Sequence, residues 1–223
     1  MLSFRYQDLG LIEYQEALRI QTDVFQQLID AKIAKTSADS ILFCCEHHPV
    51  FTLGKNGQVS NLLASEALLK EQGISLYHTN RGGDITFHGP GQITGYPVFD
   101  LEKFGMGLRQ YVETIEEIII RFLLLYGIRG ERLAGATGVW LDTGTANARK
   151  IGAIGIKSSR FVTMHGFALN INTDLNYYTL INPCGFTDKG VTSLANELSH
   201  TIDINNCKNQ LLSLFTEMFR SSK

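Results

Sequence analysis

The segment VWLDTGTANARKIGAIGIKSSRFVTMHGFALNI, residues 139–171, decides the fold class, because three strand-like runs follow one another within it. The runs cover residues 139–141, 151–156 and 161–171, and the polar segments that separate them are typical of hairpin turns. No helical pattern lies between the runs, so they do not form the strand–helix–strand units of a doubly wound fold. The segment therefore predicts an α+β fold, in which a mixed β-sheet is flanked by helices.

Helical patterns lie on both sides of this segment. Apolar residues recur at helical spacing over residues 11–35 and over residues 108–126, where Leu108 is among the side chains expected to face inward and Gly127 is well placed to end the helix. Residues 61–72 predict a short helix and residues 211–219 a last one, while strands are predicted at 41–46 and 74–78. These elements predict one domain over residues 1–223, with a small C-terminal lobe from about residue 184.

Composition restricts the class of protein. The chain has 223 residues, 44% of them hydrophobic, which suffices for a buried core and excludes global disorder. A formal net charge of −2 excludes a uniformly basic surface for nucleic acid or membranes. The 4 cysteines lack disulfide or C-x-x-C spacing, no apolar run approaches the roughly 20 residues of a membrane span, and residues 1–15 do not resemble a signal peptide. We expect a cytoplasmic protein that binds neither nucleic acid nor membrane.

The densest motif is RGGDITFHGPGQITGYP, residues 81–97, between two strand-like runs. Its glycines allow the backbone to approach a ligand closely, although a bulged hairpin would also need glycines for its turns. Because Arg81, His88 and Gln92 stand among these glycines, a binding loop is favoured over a simple hairpin. The spacing does not match a phosphate-binding P-loop.

Cys184 stands in the segment Asn-Pro-Cys-Gly, residues 182–185, which is typical of a type I turn and predicts a thiol presented on a loop. A thiol becomes reactive when a nearby cation lowers its pKa. Four basic residues with no acidic residue between them are candidates for that cation: Arg149, Lys150, Lys157 and Arg160. The alternative interpretation is that these charges only keep the ends of strands in solvent.

The histidines do not predict a metal site. His47 and His48 are adjacent, so a strand would point their rings to opposite faces, and no other His, Cys, Asp or Glu spacing is typical of metal ligands. His165 lies inside a strand-like run and is interpreted as a core histidine with satisfied hydrogen bonds. From the residues alone, a cysteine enzyme with basic helpers and a thiol hydrolase that pairs Cys184 with His88 or His165 fit equally well.

Four motifs together resemble the lipoyl(octanoyl) transferases, which belong to the biotin/lipoate ligase superfamily. The motifs are RGGDITFHGPGQITGYP, RKIGAIGIK, HGFALNIN and INPCG, in this order, and the similarity extends from EHHPVFTLG at residues 46–54 to VTSL at residues 191–194. Related lipoate and biotin ligases share the glycine-rich strand pair, but not its HGPGQ form followed by a distal Asn-Pro-Cys-Gly. The resemblance implies a biotin/lipoate protein ligase-like fold and one catalytic domain for acyl transfer.

The resemblance also implies roles for individual residues. Cys184 corresponds to the nucleophile that forms an octanoyl thioester, and Lys150 to the lysine that lowers the pKa of that thiol and handles protons. No metal and no cofactor are implied. Loop 143–148 looks longer than is usual in the family, which bears on carrier docking. The substrate-binding residues implied by the family are Arg81, Gly82, Gly83, Asp84, Ile85, Thr86, Phe87, His88, Ala153, Ile154, Gly155, Gly166, Phe167 and Ala168.

The reaction implied by the family is the first step of endogenous protein lipoylation. An octanoyl or lipoyl group passes from octanoyl-acyl carrier protein to a lysine amine on the lipoyl domains of 2-oxoacid dehydrogenases and on the glycine cleavage H protein. No ATP is needed, because a thioester is already activated. The alternatives are an ATP-dependent lipoate-protein ligase of the same superfamily, a thiol hydrolase that uses water as acceptor, and a non-catalytic module that binds lipoyl domains.

Overall fold

Two β-sheets form the centre of the fold. The computed structural model describes residues 4–183 and 189–220. The smaller sheet contains β3 (Val50–Leu53), β4 (Ser75–His78) and β5 (Ile85–His88). The larger sheet has eight strands, which are β1 (Arg5–Ile12), β2 (Ile41–His47), β6 (Gln92–Val98), β7 (Glu131–Leu133), β8 (Ala136–Leu141), β9 (Arg149–Ser159), β10 (Val162–Asn170) and β11 (Gly190–Val191).

The larger sheet is mixed, as the sequence predicts. Its strand order is β1-β2-β6-β10-β9-β8-β7, and β11 pairs with the first residues of β9. The β1–β2 and β9–β11 pairs are parallel, whereas the other pairs are antiparallel. The three strands that decided the fold class, β8, β9 and β10, are successive antiparallel neighbours, so the α+β prediction is confirmed.

Helices cover both faces of the larger sheet. The helices are α1 (Tyr14–Ile33), α2 (Glu66–Glu71), α3 (Leu108–Leu124), α4 (Leu194–Leu198) and α5 (Ile204–Met218). Phe25 and Leu28 of α1 share one core with β2, β6 and β10, whereas α3 and α5 share another core with the opposite face, through Ile115 and Phe215. Within the described part of the chain, no helix is long and apolar enough to cross a bilayer.

The predicted start of the first helix at Leu11 is wrong. Leu11 belongs to β1, an edge strand that pairs in parallel with β2, and α1 begins only at Tyr14 after the extended residue Glu13. Leu11 lies three residues before Tyr14, so it fits the helical period by coincidence. Strand β1 was not predicted, because an edge strand with mostly exposed side chains lacks the apolar alternation by which a strand is recognised.

The glycine-rich segment is not a hairpin. Its two strands, β5 and β6, belong to different sheets, because β5 pairs with β3 while β6 pairs with β2 and β10. The segment between them, residues 89–91, therefore carries the chain from the small sheet to the large one. The sequence showed only a glycine-rich motif between strand-like runs, and the partners of β5 and β6 are set by residues far away in sequence.

Other helix boundaries differ from the predicted ones because of local capping residues. The helix predicted over residues 61–72 is only α2, because Ser65 caps it by accepting the Leu68 N–H. The last helix starts earlier than predicted, because Asp203 caps the first turn of α5. Leu108, predicted to face inward, is the first residue of α3 and is 42% exposed.

The C-terminal part contributes β11 to the large sheet and α5 to its core, while the proposed domain boundaries stay a prediction.

Candidate active site

A cavity of about 480 Å³ is bordered by both sheets and by the first turn of α3. This volume lies within the roughly 300–1,000 Å³ that is usual for small-molecule sites. Every binding residue predicted from the sequence lines the cavity, except Phe87, which stacks on Tyr177 and packs against Phe51 in the core of the small sheet. These residues therefore lie around one cavity, while their binding roles stay predictions.

The loop at Arg81 joins the two sheets at the cavity wall. The Arg81 guanidinium is buried and donates to the backbone oxygen of Thr52 at 2.6 Å and to that of Asp84 at 2.7 Å. Next to it, the Gly82 N–H donates to the Ile156 carbonyl of β9 at 2.9 Å. Arg81 therefore fixes the loop whose backbone forms part of the cavity, a role that the sequence did not reveal.

Two histidines beside the cavity are neutral and held by hydrogen bonds. His88 lies between the Gln92 side chain, 2.8 Å from its Nδ1, and the Thr52 hydroxyl, 3.2 Å from its Nε2. His47 lies 2.9 Å from the Ile12 carbonyl through Nδ1 and 2.7 Å from the Tyr96 hydroxyl through Nε2. Burial lowers the pKa of His47 to about 4, and burial lowers the pKa of His88 well below its ordinary value. His88 lines the cavity and His47 packs against its ring, with the ring centroids 5.9 Å apart, and both rings are poor proton acceptors at neutral pH.

His165 differs from the core histidine that the sequence predicts. Its Nε2 lies 2.8 Å from the Asn80 side-chain oxygen, but among the described residues nothing bonds its buried Nδ1. Its backbone is left-handed, with φ of 59°, although it lies within β10 and lines the cavity. Burial, with Arg81 and Lys157 nearby, lowers its pKa to about 3. Within the described residues, the prediction of a satisfied ring is therefore wrong for the buried Nδ1.

Lys150 reaches the cavity from a β-bulge. Val139 and Trp140 are consecutive on β8 but pair with Gly152 and Lys150 on β9, so one extra residue lies between the partners on β9. A bulge of this kind re-aims the neighbouring side chain. The Lys150 ammonium donates to the Thr137 carbonyl at 3.2 Å and lies 4.6 Å above the Trp140 ring. A cation is thus held at a defined place in the cavity wall.

The four basic residues do not form one positive surface. Arg149 makes a two-pronged ion pair with Glu197 of α4, at 2.7 and 2.6 Å, and also contacts Asp142. Lys157 lies over the Phe25 ring, 5.1 Å from its centroid, and Arg160 is exposed at the turn between β9 and β10. Arg149 is therefore paired with two carboxylates, one of which, Glu197, lies 48 residues away in sequence.

Sequence reasoning missed several residues of the cavity wall. The aromatic residues Tyr14, Tyr96, Trp140 and Tyr178 line the cavity, as does Asn170. Tyr14 was assigned to a buried helix face, and Trp140 to a strand, but neither pattern distinguishes a core from a cavity. Tyr96 and Asn170 lie inside motifs that the sequence singled out, but no sequence signal marks Tyr14, Trp140 and Tyr178, which line the cavity only once both sheets assemble.

Cys184, the predicted nucleophile, lies outside the described residues. The residues on either side of the undescribed segment 184–188, Pro183 and Lys189, both line the cavity, as do Gly190 and Val191. In the described part of the chain, no group of three or more His, Cys, Asp or Glu side chains is placed to hold a metal ion.

Comparison with known proteins places this geometry in a family. The sequence model of the lipoyl protein ligase A/B catalytic domain matches residues 13–216. An octanoyltransferase of Parabacteroides distasonis is 64% identical over 220 residues, covering 98% of this chain and 100% of the relative. Among solved structures, a bipartite lipoate protein ligase from Thermoplasma acidophilum superposes with a TM-score of 0.70 at 17% identity, covering 100% of this chain and 87% of the ligase. Biotin protein ligase from Aquifex aeolicus superposes with a TM-score of 0.53 at 11% identity, covering 96% of this chain and 70% of that one.

The chain belongs to the lipoyl protein ligase A/B catalytic domain family, and it has the biotin/lipoate ligase-like fold that its motifs predict. Within this family it is an acyltransferase that transfers octanoyl groups in protein lipoylation. The alternative of an ATP-dependent ligase is not favoured, because the 64% identical relative is an octanoyltransferase, whereas the ligase structures share only the fold.

Proposed function

We propose that the enzyme takes an octanoyl group from the thioester of acyl carrier protein, holds it as a thioester on Cys184, and passes it to a lysine amine of a lipoyl domain. The observation that carries this proposal is the position of the Lys150 ammonium at a cavity that Pro183 also lines. Pro183 immediately precedes Cys184, the predicted nucleophile, in sequence.

The apolar part of the cavity suits an octanoyl chain. Its lining includes the apolar residues Leu108 and Val112 of α3 and Ile154, Ile156 and Phe167 of the large sheet. Burying about six methylenes there contributes roughly 5 kcal/mol, at about 0.8 kcal/mol for each. Because one methylene changes affinity only about fourfold, selection of eight carbons depends on where the cavity ends.

The proposed chemistry has two balanced steps. In the first step the Cys184 thiolate attacks the donor carbonyl, the bond to the carrier sulfur breaks, and Lys150 gives its proton to the leaving carrier thiolate. In the second step the acceptor amine attacks the enzyme thioester, the Cys184 thiolate leaves, and Lys150 takes the proton lost by the amine. The sum is an amide and a free carrier thiol, with no proton or electron left over.

The hydrolase alternative needs a histidine that accepts the thiol proton. His88 is a poor candidate, because both its ring nitrogens lie in hydrogen bonds and burial holds its pKa well below the ordinary value. His165 has a free Nδ1 within the described structure, but a pKa of about 3 also makes it a weak base. Lys150 therefore supports proton transfer better than either ring.

The test uses octanoyl carrier protein and an apo lipoyl domain without ATP. Intact mass should show one octanoyl group on the enzyme when the acceptor is absent, and on the lipoyl domain when it is present. Cys184→Ala should remove the enzyme adduct, whereas Cys207→Ala, which changes a buried cysteine of α5, should retain it. Lys150→Ala should slow acylation by at least about 100-fold. An octanoyl adduct on the Cys184→Ala variant would disprove the nucleophile, and release of free octanoate would favour the hydrolase.

A further inference from the structure

Glu116 of α3 is a buried carboxylate next to the elements that carry Lys150. It is only 7% exposed. One of its oxygens accepts the Gly138 N–H at 3.0 Å, and the other accepts the Arg132 Nε–H at 3.0 Å. The Gly138 bond is charge-assisted, which makes it stronger than a bond between neutral groups.

The Gly138 N–H and the Thr137 carbonyl belong to the same peptide group. The two point in opposite directions, because the peptide bond is planar and no cis bond occurs in the described chain. Glu116 therefore holds one side of this peptide, while the Lys150 ammonium donates to its other side at 3.2 Å. A continuous hydrogen-bonded path leads from the carboxylate through one peptide to the lysine, and such paths strengthen their own members.

Gly138 restrains the orientation of this peptide less than another residue would. Its φ of 118° is open to glycine but rarely adopted by other residues, and a Cβ here would stand 2.4 Å from the Gly152 oxygen. Glycine resists rotation of the adjoining peptide less than other residues do. The backbone alone thus fixes the direction of the Thr137 carbonyl weakly, and the Glu116 carboxylate supplies the missing restraint.

We propose that Glu116 is a positioning residue for Lys150, acting through the Thr137–Gly138 peptide. This inference rests on the proposed function, in which Lys150 transfers protons. Glu116 holds the peptide so that the Thr137 carbonyl receives the ammonium at one place. A lysine displaced by about 1 Å from its working position is expected to cost about 100-fold in rate.

Two conservative variants separate position from charge. Glu116→Gln keeps an oxygen of the same reach but removes the charge, whereas Glu116→Asp keeps the charge but withdraws the oxygen by one methylene. Positioning predicts that the Gln variant retains kcat within about threefold and that the Asp variant loses at least about tenfold, with the KM for octanoyl carrier protein within twofold in both. Arg132→Met removes the other partner of Glu116, together with the bonds of Arg132 to Glu117 and to the Glu113 carbonyl, but leaves the Gly138 bond in place, so it is the matched control and should behave like the Gln variant.

A second readout does not depend on activity. An amine-reactive reagent applied to the folded protein, followed by peptide mass spectrometry, measures the modification rate of Lys150 against the other lysines. The Asp variant should change the relative rate of Lys150 at least about threefold, and the Gln variant should leave it unchanged. This measurement also serves if a variant is too unstable for kinetics at the assay temperature.

Each outcome decides the inference. Wild-type kcat and wild-type Lys150 labelling in the Asp variant would overturn it, and so would a loss confined to the Gln variant, which would indicate an effect of charge. Lys150→Ala in the same assay separates the two proposals. If it remains active, the role of the lysine in the proposed function fails. If it is inactive while the Asp variant is normal, only the inference about Glu116 fails.

Discussion

Gly155 of β9 and Gly82 of the Arg81 loop lie in backbone contact, because a Cβ added to Gly155 would stand only 2.7 Å from the Gly82 oxygen. The same Cβ would lie 3.1 Å from Cδ of Arg81. The cavity wall at this point is therefore built from two glycine backbones, one from each of the segments that the sequence singled out.

Gly155→Ala should destabilise the protein. The loop that contains Gly82 must move away from β9, and we expect the free energy of unfolding in urea to fall by about 1–3 kcal/mol. Gly144→Ala is the matched control, because a Cβ at Gly144 meets no atom within 4 Å, and it should change the free energy by less than about 0.5 kcal/mol. Equal unfolding midpoints for Gly155→Ala and the wild type would contradict this contact.

The buried histidines should make stability fall in mild acid. His47 is held neutral in the folded protein with a pKa of about 4, whereas in the unfolded chain it protonates below about pH 6.5. The unfolded state therefore binds more protons below that pH, and the free energy of unfolding decreases as the pH falls from 7 towards 4. For His47 alone the loss is on the order of 3 kcal/mol at pH 4.

The check on His47 uses urea unfolding at several pH values. His47→Gln should reduce the pH dependence by about one proton relative to the wild type. Independently, the NMR signals of the wild-type His47 ring should not titrate between pH 7 and pH 5. Parallel pH profiles for variant and wild type, or a ring that titrates near pH 6.5, would refute the assignment.

Arg160 should contribute to binding of the proposed donor, octanoyl carrier protein. It is exposed at the β9–β10 turn with φ of 51°. Arg160→Glu should raise the KM for octanoyl carrier protein several-fold at low salt, and the difference should vanish at high salt, where charges are screened within a few ångström. Arg129→Glu, a reversal at another exposed arginine, is the control and should leave KM unchanged. An Arg160→Glu variant with normal KM at low salt would refute docking at this turn.

Trp140 should report occupancy of the cavity. It is the single tryptophan of the chain, it lies beneath the Lys150 ammonium, and it lines the cavity. An octanoyl thioester of pantetheine should change its fluorescence in a saturable way, whereas acetate at the same concentration should not. Formation of the octanoyl enzyme without any change in Trp140 fluorescence would show that the octanoyl chain binds outside this cavity.

Much of the fold follows from local patterns in the sequence. The runs that became β8, β9 and β10 are each recognisable by composition and by the turns between them, and hairpin partners are close in sequence. Helices α1 and α3 follow from the helical period of their buried faces. The edge strand β1 does not, because it has no buried face to create a period.

The site was predictable only in part. The Arg81 loop was singled out by its glycines and polar residues, and the family resemblance implied the binding residues of β9 and β10; all three segments line one cavity. The neutralisation of Arg149 by Glu197 was not visible, nor was the path from Glu116 to Lys150. Each depends on contacts between distant segments, which a linear pattern does not contain.

The sequence by itself determined the fold class, the family and the residues that carry its motifs, because strand and helix periods and motif spacings are local properties of the chain. Only the tertiary structure decided that β5 and β6 lie in separate sheets, that no described group bonds the buried Nδ1 of His165, and that Glu116 binds the peptide to which Lys150 donates. The physical reason is that sheet pairing, burial and hydrogen-bond partners depend on which distant segments pack together.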